Sequence, residues 1–241
     1  MATVTLLVPT LNEIEGMRII MPRIDPGWVR QILVVDGGST DGTAEYARER
    51  GYDVVIQDQP GLRKAYLAAW PHIIGDAVIT FSPDGNSIPE LIPDLIRKFE
   101  EGEVTGAGYD MVIASRYLGD AKSDDDDWIT AFGNWFYTRS VNFLHGGKYT
   151  DVMVMYRIFR KRLADELELH DDRWYRTPER LFFCDMSWEP MLSARAALRK
   201  LKVGEIPGDE PARLGGVRKL LIFRWGAAYY FQFIRDFLLW R

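Results

Sequence analysis

Short apolar, β-branched runs recur at residues 4–8, 32–35, 54–56, 77–81 and 111–114, and helical stretches begin between them near Asn12, Asp41, Arg63 and Pro89. Parallel strands cannot be joined by tight turns. Each pair needs a crossover, and helices that supply crossovers cover both faces of the sheet. The alternation therefore predicts an α/β sandwich with a mainly parallel sheet over the first half of the chain. A chain of 241 residues that is 47% hydrophobic can bury a full core, in one domain or at most two. The texture changes at the acidic run 123–127 and again near Gly208, with no internal repeat and no low-complexity linker.

Charge and sulfur narrow the class further. Thirty Lys and Arg against 35 Asp and Glu give a formal net charge of −5, which excludes nucleic-acid binding by bulk charge. The single cysteine, Cys184, permits neither an internal disulfide nor a cysteine zinc cluster, and His72, His145 and His170 are too scattered to pair as ligands. A reducing compartment fits such usage. The longest uncharged stretch, residues 1–12, falls short of the ~20 residues of a spanning helix and has no basic lead, so neither an anchor nor a signal peptide is expected there.

In open α/β sheets, ligands bind beyond the carboxyl ends of the strands. The residues at those ends here are polar: Pro9-Thr10-Leu11-Asn12-Glu13, then Asp36-Gly37-Gly38-Ser39-Thr40-Asp41-Gly42-Thr43, then Ser82-Pro83-Asp84-Gly85-Asn86. Glycines such as Gly38 let a ligand approach the backbone, and Asp36 can accept hydrogen bonds from a ribose or base. The same stretch also reads as a tight turn with an ordinary N-cap, and the residues alone leave both readings open. Neither a P-loop nor a GxGxxG element is present.

Taken together, the first two segments resemble the opening of family 2 glycosyltransferases of the GT-A fold. Gly61-Leu62-Arg63-Lys64-Ala65-Tyr66, the Ser82–Asn86 segment and Ala114-Ser115-Arg116-Tyr117 follow in the family's order. Asp151 with Arg157 six places on, Glu205-Ile206-Pro207, and Arg213-Leu214-Gly215-Gly216-Val217-Arg218-Lys219 are similar to the dolichyl-phosphate mannose synthase-like group, the polyprenyl-phosphate sugar transferases. The resemblance covers about residues 3–220. Two departures stand out: Ser82 replaces the first acid of the metal motif, and Met155 replaces a glycine.

The resemblance implies a nucleotide diphosphate sugar as donor, with UDP or GDP as the leaving group. Pro9, Thr10, Glu13, Asp36, Gly38 and Lys64 would surround the nucleotide. A divalent cation, Mg2+ or Mn2+, would be held by Asp84 with Asn86 as the weaker partner and would neutralise charge on the departing diphosphate. Arg116 matches an arginine that binds the phosphate of a lipid acceptor, and Arg213 and Lys219 would close over phosphates. Transfer with inversion to polyprenyl phosphate is the implied reaction, placed at the cytoplasmic face of a membrane. An alternative is transfer to a hydroxyl of a lipid-linked saccharide in cell-surface polysaccharide synthesis, with Asp185 as base. An ionised phosphate needs no base, so the roles of Asp185 and Glu189 depend on the acceptor. A rival of another class is an inactive nucleotide-sugar-binding protein; a nucleotidyltransferase is disfavoured because no Gly-rich, Arg-containing start is present.

Two features lie outside these motifs. The run Asp124 to Asp127 is expected as a solvated loop, with a sugar or cation site near the active edge as the other reading. The segment 220–241 is expected as an amphipathic, aromatic-rich helical tail on a 1–219 catalytic domain, with Arg224 and Arg235 forming one basic stripe. Such a helix suits a membrane interface, with a core or oligomer helix as the other reading.

Overall fold

The computed structural model describes residues 2–102, 108–214 and 222–240. Among these residues, seven strands form one sheet in the order β3-β2-β1-β4-β6-β5-β7. They are β1 (Val4–Thr10), β2 (Gln31–Asp36), β3 (Asp53–Ile56), β4 (Ala77–Thr80), β5 (Met111–Ser115), β6 (Arg157–Arg160) and β7 (Val203–Pro207). All neighbours are parallel except β6, which runs antiparallel to both β4 and β5. The expected sandwich is present. Strands β1, β2 and β4 read as near-continuous apolar runs because both of their faces are covered, and Leu6, Leu7, Val34 and Val78 are wholly buried.

The crossovers of the first half carry α1 (Ile14–Ile19), α2 (Thr43–Glu49), α3 (Leu62–Ala69) and α4 (Ile92–Glu100). The second half adds α5 (Trp128–His145), α6 (Leu163–Glu166), α7 (Arg173–Phe182), α8 (Glu189–Leu198) and α9 (Ile222–Leu239). Helix α5 begins at Asp127, whose carboxylate accepts from the Thr130 amide at 2.8 Å, and ends at Gly146 in the left-handed region.

Helix α9 lies against α5, α7 and α8 and buries Ala228, Tyr229 and Phe233. Its Asp236 and Arg195 of α8 are both fully buried and bonded twice at 3.1 Å, and Gln232 donates to the same carboxylate at 2.7 Å. Burial outweighs these partners and raises the Asp236 pKa. The expected Arg224–Arg235 stripe is corrected: Arg224 is exposed, whereas Arg235 donates to the Trp174 carbonyl at 3.0 Å and is thereby turned onto α7. Among the described residues, no helix is long and apolar enough to cross a membrane.

The antiparallel β6 decides where the site is assembled. Its first residue, Arg157, pairs with Thr80 at the end of β4 and with Ile113 near the end of β5. The segment 151–156 is therefore delivered to the same sheet edge as the carboxyl ends of β1, β2, β4, β5 and β7. Arg157 is fully buried and fixes that segment, donating to the carbonyls of Val154 (3.0 Å), Val152 (3.3 Å) and Glu189 (3.3 Å) and to Ser193 Oγ (2.8 Å).

Candidate active site

At one end of the edge, the loops after β1 and β2 lock each other. Asp36 is almost fully buried and accepts from Thr10 Oγ1 (3.0 Å), Gly38 N (3.0 Å), Ser39 N (2.8 Å) and Ser39 Oγ (2.6 Å). Gly38 completes this turn with φ +87°, a conformation that glycine adopts without strain. Asn12 bridges the two loops, accepting from Thr40 N at 2.8 Å, while its own amide donates to Ser39 Oγ at 2.8 Å. Asp41 accepts from Ile14 N at 3.1 Å and from Thr43; burial raises its pKa, and these bonds outweigh that and lower it. The stretch forms a tight turn, with Gly42 rather than a capping side chain before α2, and the turn builds a wall. Beside it, Asn12, Glu13, Gly16, Asp41, Asp84 and Leu214 line a cavity of about 220 Å³. Pro9 sits within the β1–β2 ladder, opposite Val35.

Asp84 follows β4 and is 5% exposed. Its place is set by Gly16 of α1, because a Cβ there would stand 2.1 Å from the Pro83 carbonyl oxygen; only glycine lets the helix come this close. The Asp84 carboxylate accepts from the Asn86 amide at 3.1 Å and pairs with Arg213 Nη1 at 3.1 Å. The Asn86 side chain satisfies its neighbours with its nitrogen on the Pro211 carbonyl (3.0 Å) and its oxygen on Arg213 Nε and Nη2 (3.2 Å). Asp84, Asn86, Arg116, Glu210 and Arg213 line a second cavity of about 110 Å³.

Arg116 follows β5, as the strand pattern predicts, and is 6% exposed. It grips Asp151 with Nε at 2.7 Å and Nη2 at 3.1 Å, while Nη1 meets Glu210 at 3.1 Å and Asp126 at 3.7 Å. Burial opposes the Arg116 charge, but Asp151 and Glu210 prevail and hold its pKa well above the usual value. Burial likewise opposes the charge on Asp151, and Arg116 holds that carboxyl below the ordinary range.

The acidic run is only in part the expected solvated loop: Asp124 and Asp127 are exposed, and Asp125 and Asp126 turn inward. Asp125 faces Arg213 (3.4 Å), Asp126 faces Arg116 and accepts from Asn134 at 2.9 Å, and Asp127 caps α5. The guanidinium groups of Arg213 and Arg116 draw Asp125 and Asp126 onto the site, a long-range pairing that a local charge pattern does not encode.

A third cavity, of about 280 Å³, shares Arg116, Val154, Met155, Glu210 and Arg213 with the second and extends between α5, α8 and α9. Leu62, Met153, Tyr137, Trp225 and Tyr229 give it an apolar wall. Glu189 lines it at 4% exposed; one oxygen accepts from the Tyr66 hydroxyl and the other, Oε2, is buried with no hydrogen-bond partner. Asp185, by contrast, is exposed beside Gly61 and lines none of these three cavities. Lys64 pairs with Asp172 at 3.4 Å and lines none of them either. Lys219 lies outside the described residues. The sequence gives no role to Glu210 or to the α9 wall, and it favours a loop for Asp125 and Asp126; for Glu210 the available signal was its place just after the Glu205-Ile206-Pro207 strand.

Among the described residues, no group of three or more His, Cys, Asp or Glu side chains is placed to hold a metal alone. One buried carboxylate facing an open cavity suits a cation that takes most of its ligands from phosphates and water.

Similarity to known proteins agrees with this architecture. Residues 25–168 match the model of Glycosyl transferase family 2. Glycosyltransferase AglJ of Haloferax volcanii is 32% identical over 171 residues, 70% of this chain and 54% of that protein, so the chain spans about half the length of this curated relative. Polyprenol monophosphomannose synthase of Mycolicibacterium smegmatis is 28% identical over 227 residues, covering 89% of this chain and 79% of the relative. In fold, the chain is similar to glucosyl-3-phosphoglycerate synthase of Mycobacterium tuberculosis, solved with Mn2+, UDP and glucosyl-3-phosphoglycerate, at TM-score 0.60 and 18% identity over 99% of this chain and 79% of that one. With a GT-A-like sheet, acidic and glycine-rich loops at its carboxyl edge and a family match over more than half its length, this chain belongs to glycosyl transferase family 2.

Proposed function

We propose that the protein transfers a sugar from a nucleotide diphosphate sugar, UDP- or GDP-linked, to polyprenyl phosphate, with inversion at the anomeric carbon, at the cytoplasmic face of a membrane. The observation that carries this reading is the row of three cavities. The first shares Asp84 with the second, and the second shares Arg116, Glu210 and Arg213 with the third, so an acidic end is joined to an apolar one. A donor with a charged diphosphate suits the first end, and an acceptor with a phosphate head and hydrocarbon chain suits the other. The 28% identity to a polyprenol monophosphomannose synthase supports the same acceptor class.

In this reading, Pro9, Thr10, Glu13, Asp36 and Gly38 frame the nucleotide, and Asp84, with Asn86 beside it, holds a divalent cation, Mg2+ or Mn2+, that supplies charge neutralisation for the leaving diphosphate. Arg213, which pairs with Asp84 at 3.1 Å, would exchange that carboxylate for a diphosphate oxygen of the donor, and Lys219 and Lys64 would add positive charge to that end. The Asp151–Glu210 clamp holds Arg116 in the wall shared by the second and third cavities, where the acceptor phosphate would meet it. That phosphate is already ionised and attacks the anomeric carbon without a base.

A second reading has one specific observation in its favour: Glu189, whose buried Oε2 has no hydrogen-bond partner, lines the cavity where Asp185 does not and would accept a proton from a hydroxyl acceptor. Incubation with a panel of nucleotide sugars and either polyprenyl phosphate or a lipid-linked saccharide, followed by mass spectrometry of the products, separates the two. A glycosyl-phosphate lipid is expected; a glycoside of the saccharide alone overturns the first reading.

A further inference from the structure

We propose that the outward faces of α5 and α9 together dock on an anionic lipid bilayer. The proposal rests on the reading above in taking the acceptor from a bilayer, and it adds the surface of the molecule that meets that bilayer.

The first observation is the outward face of α5. Trp128, Phe132, Trp135, Phe136 and Phe143 are 80%, 61%, 53%, 38% and 88% exposed. On a 3.6-residue period they fall within an arc of ~100° and run ~22 Å along the helix. A surface helix ordinarily turns its aromatic stripe inward, but α5 buries Thr138, Val141 and His145 and shows its rings to solvent. At ~200 Å² per aromatic side chain the five rings expose on the order of 600 Å², the upper end of the largest patch on a typical monomer. Helix α9 extends the patch without a gap: the Phe136 ring is 5.2 Å from Tyr230, and His145 is 6.3 Å from Phe237, itself 50% exposed.

The second observation is charge, and it selects the occupant. The chain carries a net −5, yet these two 18-residue helices contain one carboxylate, Asp236, which is buried against Arg195. The exposed charges on them are cationic: Arg139, set 5.7 Å over the Trp135 ring, and Arg224. A second copy packed face to face would bring these arginines against their own images. Headgroups of anionic lipids complement them, and tryptophan and arginine side by side suit the depth where tails meet headgroups. Both helices also wall the 280 Å³ cavity, through Tyr137 on one and Trp225 and Tyr229 on the other. A bilayer against their outer faces therefore stands beside the apolar end of the site.

Flotation of the whole protein with phosphatidylglycerol–phosphatidylcholine vesicles free of polyprenyl phosphate tests the surface separately from the acceptor. Wild-type protein is expected to float with these vesicles, with binding falling about tenfold on pure phosphatidylcholine or at 1 M salt. Trp128→Ser with Phe143→Ser should cut binding at least about tenfold while turnover of a short-chain, water-soluble acceptor stays within about twofold. If that variant does not fold by circular dichroism, Arg139→Gln with Arg224→Gln is the deciding variant, expected to lose the preference for anionic vesicles. Wild-type protein that does not float, a ring or arginine variant that floats unchanged, or a lipid-free dimer abolished by the ring substitutions overturns the proposal. Flotation as expected with no product from any polyprenyl phosphate would sustain the docking surface and remove the acceptor reading instead.

Discussion

The loop after β2 satisfies its polar groups within a few residues of Asp36 and from one neighbouring loop, whereas Arg116 reaches its partners 35 and 94 residues away. The first arrangement forms as soon as β1 and β2 pair. The second requires β5, the turn before β6 and the end of β7 to be in place together. One edge of the sheet therefore carries a wall built by local hydrogen bonding and a clamp built by long-range charge pairing. The wall has neutral partners around one carboxylate, and the clamp sets three carboxylates around one guanidinium.

The contrast is most exposed to test through the clamp. Asp151→Ala removes the bidentate partner of a buried arginine and should destabilise the fold by about 3–5 kcal/mol, read by urea unfolding. Asp36→Ala should cost less, about 1–3 kcal/mol, because it leaves neutral amides and hydroxyls rather than the Nε and Nη2 of a buried guanidinium without their carboxylate. A larger loss for Asp36→Ala breaks the comparison.

Next in size is the effect on turnover at the junction of the two ends. Asp84→Ala should lower kcat by about 10²–10³ and abolish the cation dependence of nucleotide binding, measured by calorimetry with and without Mg2+. Arg213→Ala, which frees the same carboxylate, should tighten cation binding without donor while slowing transfer. Wild-type turnover in the Asp84 variant would remove the carboxylate from the chemistry.

Acid sensitivity separates the helical layer from the clamp by pH. Burial lowers the pKa of His145, in α5 against α9, and of His170 below 6.5. Unfolded chains then bind protons that the folded state does not, so stability from this region is full above pH 6.5 and falls as pH drops through it. Asp151 is lowered from 3.8, chiefly through Arg116 acting against burial, so its contribution is full above that value and is lost only as pH falls further. Thermal melts across pH 7 to 3 should show the first decline, and His145→Gln should reduce it; a flat profile down to pH 4 would contradict the assignment.

The smallest effect is expected at Asp185. Asp185→Asn should keep substantial activity, because the residue is exposed and a phosphate acceptor needs no base. Glu189→Gln sharpens the comparison: with a hydroxyl acceptor it should cost about 10²–10⁴ in rate, and with a phosphate acceptor far less.

The strand positions and most helix starts of the first half are legible in the sequence because a strand covered on both faces must be apolar throughout, and such runs stand out between helical stretches. The polar segments at Thr10, Asp36 and Asp84 are legible for the same reason, since they follow those runs directly. Strand β6 escapes: four residues, Arg157 to Arg160, have arginine at both ends, and the burial of Arg157 against backbone carbonyls is not a sequence pattern.

By itself, then, the sequence determined a parallel α/β core, its ligand edge and the residues of its local turns, because period and adjacency are properties of the chain. Tertiary structure alone decided that Asp125 and Asp126 turn inward, that Glu189 rather than Asp185 lines the cavity, that Arg116 is clamped by Asp151 and Glu210, and that α5 shows its aromatic face to solvent. Each of these outcomes follows from charge pairing or packing between segments far apart in the chain, where the partner, not the local pattern, sets the conformation.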